Sequence, residues 1–280
     1  MFFQSFASGS DGNCYYIGNY YEGILIDAGI GVRSIRRDLR TLGLDIHNIR
    51  GVFVTHDHTD HVRAISVLSN KHHLPIYATE RTHAGIDRNH KIEPKIDVTC
   101  RRYITVGETT ELCGMCIEPF SVSHDSADCV GYTISGEGWT LTLATDVGCT
   151  SEVLARSIER SNVVVMEANY DAMMLEQGPY PIYLKERICS GVGHLANDIC
   201  GRFLSEHYHA NLKHIRLCHL SQINNKPETA LETVSHHLTA AGIRVGQDVD
   251  VAPLNRLTPS PIIQLQPEIR PTLNFDSPCD

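Results

Sequence analysis

Apolar positions along this chain recur with two different periods. Residues 52–54, 117–122, 163–166 and 215–218 are short, largely apolar runs, and 139–144 alternates apolar side chains with threonine. Runs of this length bounded by polar residues predict strands. Each stops at chemistry-bearing residues: the first at a histidine-rich segment, the others at His124, Asp146, Glu167 and His219. Strands of a common sheet that end in such residues gather them on one rim, so five strand ends predict one site. Elsewhere the period lengthens. Val32, Ile35, Leu39 and Leu42 share a face across residues 31–42 while Arg33, Arg36, Arg37 and Arg40 lie off it, predicting an amphipathic helix ended by Gly43. Residues 62–71, 151–161 and 197–209 predict further helices, and 227–241 starts on Pro227 and stops at Gly242. Strands and helices alternate after an N-terminal stretch of short strands, without an internal repeat. The prolines beyond Leu254 (Pro259, Pro261, Pro267, Pro271, Pro278) predict one domain over 1–254 and a proline-rich tail over 255–280 that wraps the surface or is partly disordered.

The histidine-rich segment Thr55-His56-Asp57-His58-Thr59-Asp60-His61 sets the chemistry. An extended strand sends alternate side chains to one side, so His56 and His58 can grip one ion while Asp60 and His61 reach a second. Asp57 and Thr59 then point away. Transition ions such as zinc take imidazole nitrogen and carboxylate oxygen at about 2.0–2.2 Å. The histidines outside this set (His47, His72, His73, His83, His90, His207, His209, His214, His236, His237) read as surface residues. Adjacent pairs on a helix diverge by about 100° and cannot face one ion.

The ordered set resembles the metallo-β-lactamase superfamily, whose His-x-His-x-Asp-His motif is matched by His56, His58, Asp60 and His61. Its later positions are matched by His124, Asp146 and His219 in that order. The resemblance implies an α/β (α+β) class protein, an αββα sandwich of two mixed β-sheets flanked by helices. It also implies that His56, His58 and His124 hold one ion, that Asp60, His61 and His219 hold another, and that Asp146 bridges them. Two divalent ions, zinc or manganese, about 3.5–4 Å apart would share a hydroxide and stabilise both attacking and leaving oxygens.

Residues 7–17, 167–171, 178–181, 193–197 and 219–225 further resemble the bacterial WalJ (YycJ) family, regarded as DNA-directed exonucleases. The likeness runs from about Phe6 to Leu254. Tyr170 stands where that family usually has histidine, so contacts of that histidine do not carry over. In related phosphodiesterases a histidine in a Gly-His motif, aimed by a carboxylate at the end of the preceding strand, protonates the leaving oxygen. By resemblance these are His194 and Glu167, with Asp60 and Asp146 as the other catalytic residues. General acid help to an alkoxide leaving group is worth about 10²–10⁴ in rate.

Composition modifies this picture in three ways. At 280 residues one core is sufficient, no run of about 18 apolar residues predicts a membrane span, and Met1-Phe2-Phe3-Gln4 lacks a basic signal-peptide start, so a cytoplasmic protein is expected. Ten cysteines then read as reduced core thiols. Cys113 and Cys116 have the spacing of half a zinc knuckle, but no second pair completes it. The net charge of −9 opposes a nucleic acid partner, although two cations in the cleft offset it locally. The first-helix arginines, Arg101, Arg102, Lys185 and Arg187 are candidate substrate contacts, and residues 9–13 offer backbone amides to a phosphate or form a tight turn. The expected function is a dinuclear phosphodiesterase, a 5′-to-3′ exonuclease acting on DNA. The alternative is a thioesterase or lactonase of the glyoxalase II type, which would not need the Glu167 and His194 pair because a thiolate leaves readily. RNA is disfavoured: only 48 residues (194 − 146) separate Asp146 from His194, leaving no room for the cap domain of RNA-processing relatives.

Overall fold

A computed structural model of the chain describes residues 1–265. The part of the expected tail beyond that point, 266–280, lies outside the described residues.

Two seven-stranded sheets carry the fold among the described residues. The first contains β1 (Phe2–Ala7), β2 (Cys14–Gly18), β3 (Gly23–Ile26), β4 (Ile49–Phe53), β5 (Ile76–Ala78) and β6 (Arg101–Tyr103). The second contains β7 (Thr110–Leu112), β8 (Met115–Ser121), β9 (Val130–Gly136), β10 (Trp139–Ala144), β11 (Val163–Glu167), β12 (His214–Cys218) and β13 (Asp250–Pro253). A last strand, β14 (Ile263–Gln264), returns to the first sheet beside β1. The strand orders are β14-β1-β2-β3-β4-β5-β6 and β13-β12-β11-β10-β9-β8-β7. Both sheets are mixed: pairing is parallel from β3 to β6 and from β10 to β13, and antiparallel elsewhere.

Side-chain alternation explains the layering, because strands such as β3 and β11 are apolar on both faces. In β3, Ile24 and Ile26 enter the core between the sheets while Leu25 joins the outer one; in β11, Val163 and Val165 face inward while Val164 and Met166 face outward. Helices cover the outer faces. α1 (Val32–Thr41), α2 (Thr59–Val62), α3 (Ile65–His72) and α4 (Glu80–Arg88) lie on the first sheet, through Ile35, Leu39, Val62, Ile65, Leu68 and Ile86. After them come α5 (Glu152–Glu159), α6 (Ala172–Gln177), α7 (Ile182–Ile188), α8 (Asn197–Glu206) and α9 (Pro227–Ala240). α5, α8 and α9 cover the second sheet, whereas α6 and α7 pack around Tyr170 in a small cluster of their own. This is the αββα sandwich expected from the resemblance.

The structure also corrects several expectations. Val52 and Phe53 of the run 52–54 belong to the first sheet and the other four site-bearing runs to the second, so the site spans two sheets rather than the rim of one. Period-two patterning says where a strand ends, not which sheet it joins. The helix expected over 62–71 is broken, α2 ending at Val62 and α3 starting at Ile65. His83 is buried in α4 with Nε2 3.2 Å from the Arg102 carbonyl, not on the surface. The buried side of that helix is Thr82, His83, Gly85 and Ile86, which leaves almost no apolar stripe to read. Cys113 and Gly114 form a two-residue hairpin turn between β7 and β8 with φ of 54° and 69°, and that turn accounts for the spacing of Cys113 and Cys116. Cys116, Cys149 and Cys189 are exposed rather than core thiols, the first at a solvent-facing position of β8 and the other two in loops. Among the described residues no helix is long and apolar enough to cross a membrane.

Candidate metal centre

Both sheets deliver polar residues to one end of the sandwich. β4 stops at Phe53, so His56 and His58 lie in the loop beyond it rather than on a strand. Their common direction comes from that loop, with His58 as the extended residue (φ −68°, ψ 145°) that opens α2, and not from strand alternation as expected. Asp60 and His61 sit in the single turn of α2. Neighbouring loops clamp this turn: Asn13 donates its N–H to the Asp60 carbonyl at 2.8 Å and Ala28 to the His61 carbonyl at 2.8 Å. The approach at Gly29 is so close that a Cβ there would lie 1.5 Å from the Asp60 carbonyl oxygen.

All seven expected donors meet here. His56, His58 and His124 place one nitrogen each within 4.8 Å of one another, and Asp60, His61 and His219 form a second such group. Asp146 stands between them, Oδ2 at 3.2 Å from His61 Nε2 and Oδ1 at 3.5 Å from His124 Nε2. Asp57 and Thr59 serve the loops instead: Asp57 Oδ1 accepts the Ala127 N–H at 3.2 Å, and Asn89 Nδ2 lies 3.4 Å from Thr59 Oγ1. Tyr170 lies apart, packed with Leu175, Ile188 and Ala196. Asp146 and His219 both adopt positive φ, 56° and 54°, a strained conformation for residues with a Cβ that tends to cluster at functional sites. The His219 N–H is held by Ser8 Oγ at 2.9 Å and the Val147 N–H, next to Asp146, by Glu167 Oε2 at 2.7 Å.

Two carboxylates organise the imidazoles from behind. Asp27, which sequence reasoning missed, is fully buried and also at positive φ; it accepts from Thr55 N at 2.8 Å, Thr55 Oγ1 at 2.9 Å and His61 Nδ1 at 2.7 Å. It ends the apolar run 23–26, the same signal that marked the other five positions. Glu167, expected to aim His194 alone, is shared. Its Oε1 accepts from His194 Nδ1 at 2.9 Å and His219 Nδ1 at 2.8 Å, while Oε2 accepts the N–H groups of Val147 and of Leu195, the latter at 3.1 Å. A carboxylate behind an imidazole fixes which nitrogen faces forward.

The electrostatics are those of a cation site. Burial pushes His56 well below its ordinary value, leaving a neutral imidazole. Burial opposes ionisation of Asp146, yet the neighbouring His219 and His61 hold its carboxyl well below the usual carboxylate range. Burial likewise disfavours charge on His194 and His219, but Glu167 in the first case and Asp146 in the second outweigh it, raising His194 and pushing His219 up to about 10. Protons thus balance the clustered carboxylates, the role a divalent cation takes when it displaces them. The Nε2 atoms of His56 and His219 are buried without a hydrogen-bond partner among the described residues, an arrangement that costs about 1–3 kcal/mol per group when nothing satisfies it. Imidazole and carboxylate donors of this kind fit zinc-like or manganese-like ions.

The basic candidates are largely engaged. Arg101 makes a two-pronged pair with Asp87 at 2.8 and 2.7 Å, and Lys185 donates to the Glu176 carbonyl at 2.5 Å. Arg187 pairs with Asp125 at 2.5 Å, lining a small pocket with Gly193 and His194. The amides of Gly9 and Gly12 are bonded inside their own loop, to Asn13 Oδ1 and the Gly9 carbonyl, which makes residues 9–13 a tight turn.

This chain is similar to known proteins to different degrees. The family described as the beta-lactamase superfamily domain matches residues 22–214. Exodeoxyribonuclease YycJ of Bacillus anthracis is 34% identical over 251 residues, covering 90% of this chain and 94% of that protein. Exodeoxyribonuclease WalJ of Streptococcus pneumoniae is 31% identical over 259 residues, covering 92% and 96%. Among solved structures, the metallo-beta-lactamase fold protein YhfI from Bacillus subtilis has a TM-score of 0.63 at 16% identity, covering 90% of this chain and 97% of that one, which is a likeness of fold.

Proposed function

We propose, for a chain that belongs to the metallo-β-lactamase superfamily of metal-dependent hydrolases, that it cleaves phosphodiester bonds from an end of DNA, 5′ to 3′, with two divalent metal ions. The observation that carries this reading is the pair of donor groups on either side of Asp146. His56, His58 and His124 would hold one ion, Asp60, His61 and His219 the other, and Asp146 has the charge and the two oxygens to bridge them. Divalent ions bound there supply Lewis acidity and lower the pKa of water towards neutrality.

The chain's own residues supply positioning and a proton. Asp27 and Glu167 hold His61 and His219 by Nδ1, so that Nε2 of each faces the donor cluster. Glu167 engages Nδ1 of His194 and keeps that ring protonated, leaving Nε2 as the edge that gives a proton to the departing alkoxide. His194 is partly exposed where Asp146 and Glu167 beside it are buried, which suits a group that meets substrate from outside. The substrate class rests on the YycJ and WalJ relatives, and the four positive charges of two ions offset a chain of net charge −9 at the point where a phosphate would sit.

The test is to incubate metal-loaded protein with end-labelled duplex DNA, RNA and a panel of thioesters in parallel. Stepwise release of nucleotides from DNA is the expected result. Thioester turnover with inert DNA would replace this reading by a glyoxalase II-like one.

A further inference from the structure

The geometry points to a second, separate metal site on the outer side of the first sheet, formed by His73, Asp97 and Cys100 and suited to a thiophilic divalent cation of the zinc type. These three residues each offer one ligand atom within 4.8 Å of the others, and none belongs to the centre around Asp146. Imidazole, carboxylate and thiolate together are a zinc-like donor set, and oxygen-preferring ions such as magnesium or calcium rarely accept sulfur.

Ser69, in the last turn of α3, brings the three together. Its carbonyl accepts the His73 N–H at 3.0 Å and the Cys100 thiol at 3.6 Å, and its hydroxyl accepts the Asp97 N–H at 3.3 Å. His73 ends α3 in a left-handed conformation, φ 53°, that turns it away from the helix. Asp97 caps the short turn Val98–Cys100, with Oδ1 taken by the N–H and hydroxyl of Thr99. That leaves Oδ2 for a ligand. Cys100 is buried and supplies the floor of the site, while exposed His73 can swing its ring onto an ion. On binding, the Cys100 thiol loses its proton to solvent and gives up its weak bond to Ser69 for one to the cation.

The site would act as a clip. Side chains of α3 already hold the segment between α4 and β6, Asn70 Nδ2 donating to the Lys95 carbonyl at 2.8 Å and Ser66 Oγ to the Pro94 carbonyl. That segment begins at Asn89, whose Nδ2 reaches the Asp57 carbonyl in the histidine-rich loop at 3.2 Å. A cation at its far end would add a stronger fastening to α3 beyond these hydrogen bonds.

This inference does not depend on the reaction proposed above, and cobalt separates the two. All donors around Asp146 are nitrogen or oxygen, so a thiolate-to-cobalt charge-transfer band must arise elsewhere. The full chain, stripped of metal and titrated with Co²⁺, is expected to show that band in the near ultraviolet. Cys100→Ser and His73→Ala should each abolish it and each bind one equivalent fewer than the unsubstituted protein. His73 is exposed, so its replacement carries the same reading should Cys100→Ser fold poorly. Absence of the band, or a band and stoichiometry that both variants retain, would overturn the site.

Discussion

On the proposed reading, single side chains divide the centre into groups that would hold ions and a group that would move a proton. Replacing His194 by alanine should leave the metal content of purified protein unchanged and lower turnover of a phosphodiester by about 10²–10⁴, read by single-turnover kinetics alongside metal analysis. Glu167→Gln should behave differently, because Oε1 serves His194 and His219 at once; both turnover and bound metal should fall. Asp27→Asn removes the negative charge behind His61 and one of the two oxygens that accept there, and metal affinity, measured by competition with a chelating dye, should drop about 10–100-fold. The donors were legible before any coordinates because each polar residue stands where an apolar run stops and the chain must turn. Asp27 carried the same mark at the end of the run 23–26, a run no longer or shorter than those at 163–166 and 215–218. What could not be read was the sharing of Glu167, since that depends on β11 and β12 lying side by side with Glu167 opposite Cys218.

Elements show where hydrophobic patterning succeeds and where it fails. The helices expected over 31–42 and 227–241 match α1 and α9 to within a residue or two, because each combines an apolar stripe with a glycine stop. α4 has no such stripe, and the α2 turn is too short for any period to show. The α2 turn is held by close packing instead, and Gly29 is the tightest point. Gly29→Ala would force its methyl group onto the Asp60 carbonyl, destabilising the fold by on the order of 3 kcal/mol. Thermal denaturation should register a drop of about 5–10 °C, together with weaker metal binding, since the displaced turn carries Asp60 and His61.

At the scale of the whole molecule, the donors bridge two separately built halves. His56, His58, Asp60 and His61 follow β4 in the first sheet, and His124, Asp146 and His219 follow strands of the second. An ion held by both therefore fastens one sheet to the other. A ligand that binds only the folded state stabilises it by about 2.7 kcal/mol at a concentration one hundred times its dissociation constant. Chelation should accordingly lower the melting temperature of the whole chain, and zinc or manganese should restore it. Asp60→Asn and His219→Ala should blunt that response together, although they follow strands of different sheets. The division into sheets could not be read from the sequence, because strand pairing is decided by contacts between distant residues.

β14 closes the first sheet against β1, pairing Ile263 with Phe3, while the Ser5 N–H donates to the Ser260 hydroxyl, 255 residues further along the chain. On a ribosome adding about 5–20 residues per second, roughly 10 to 50 s pass between the emergence of these partners. Throughout that interval the outer edge of β1, with Phe2, Phe3 and Phe6 on its two faces, has no neighbour to pair with and is open to capture by another nascent chain. Protection of that edge by a chaperone, or slow translation of the segments that follow, would therefore govern how much of this protein reaches its native state in the cell.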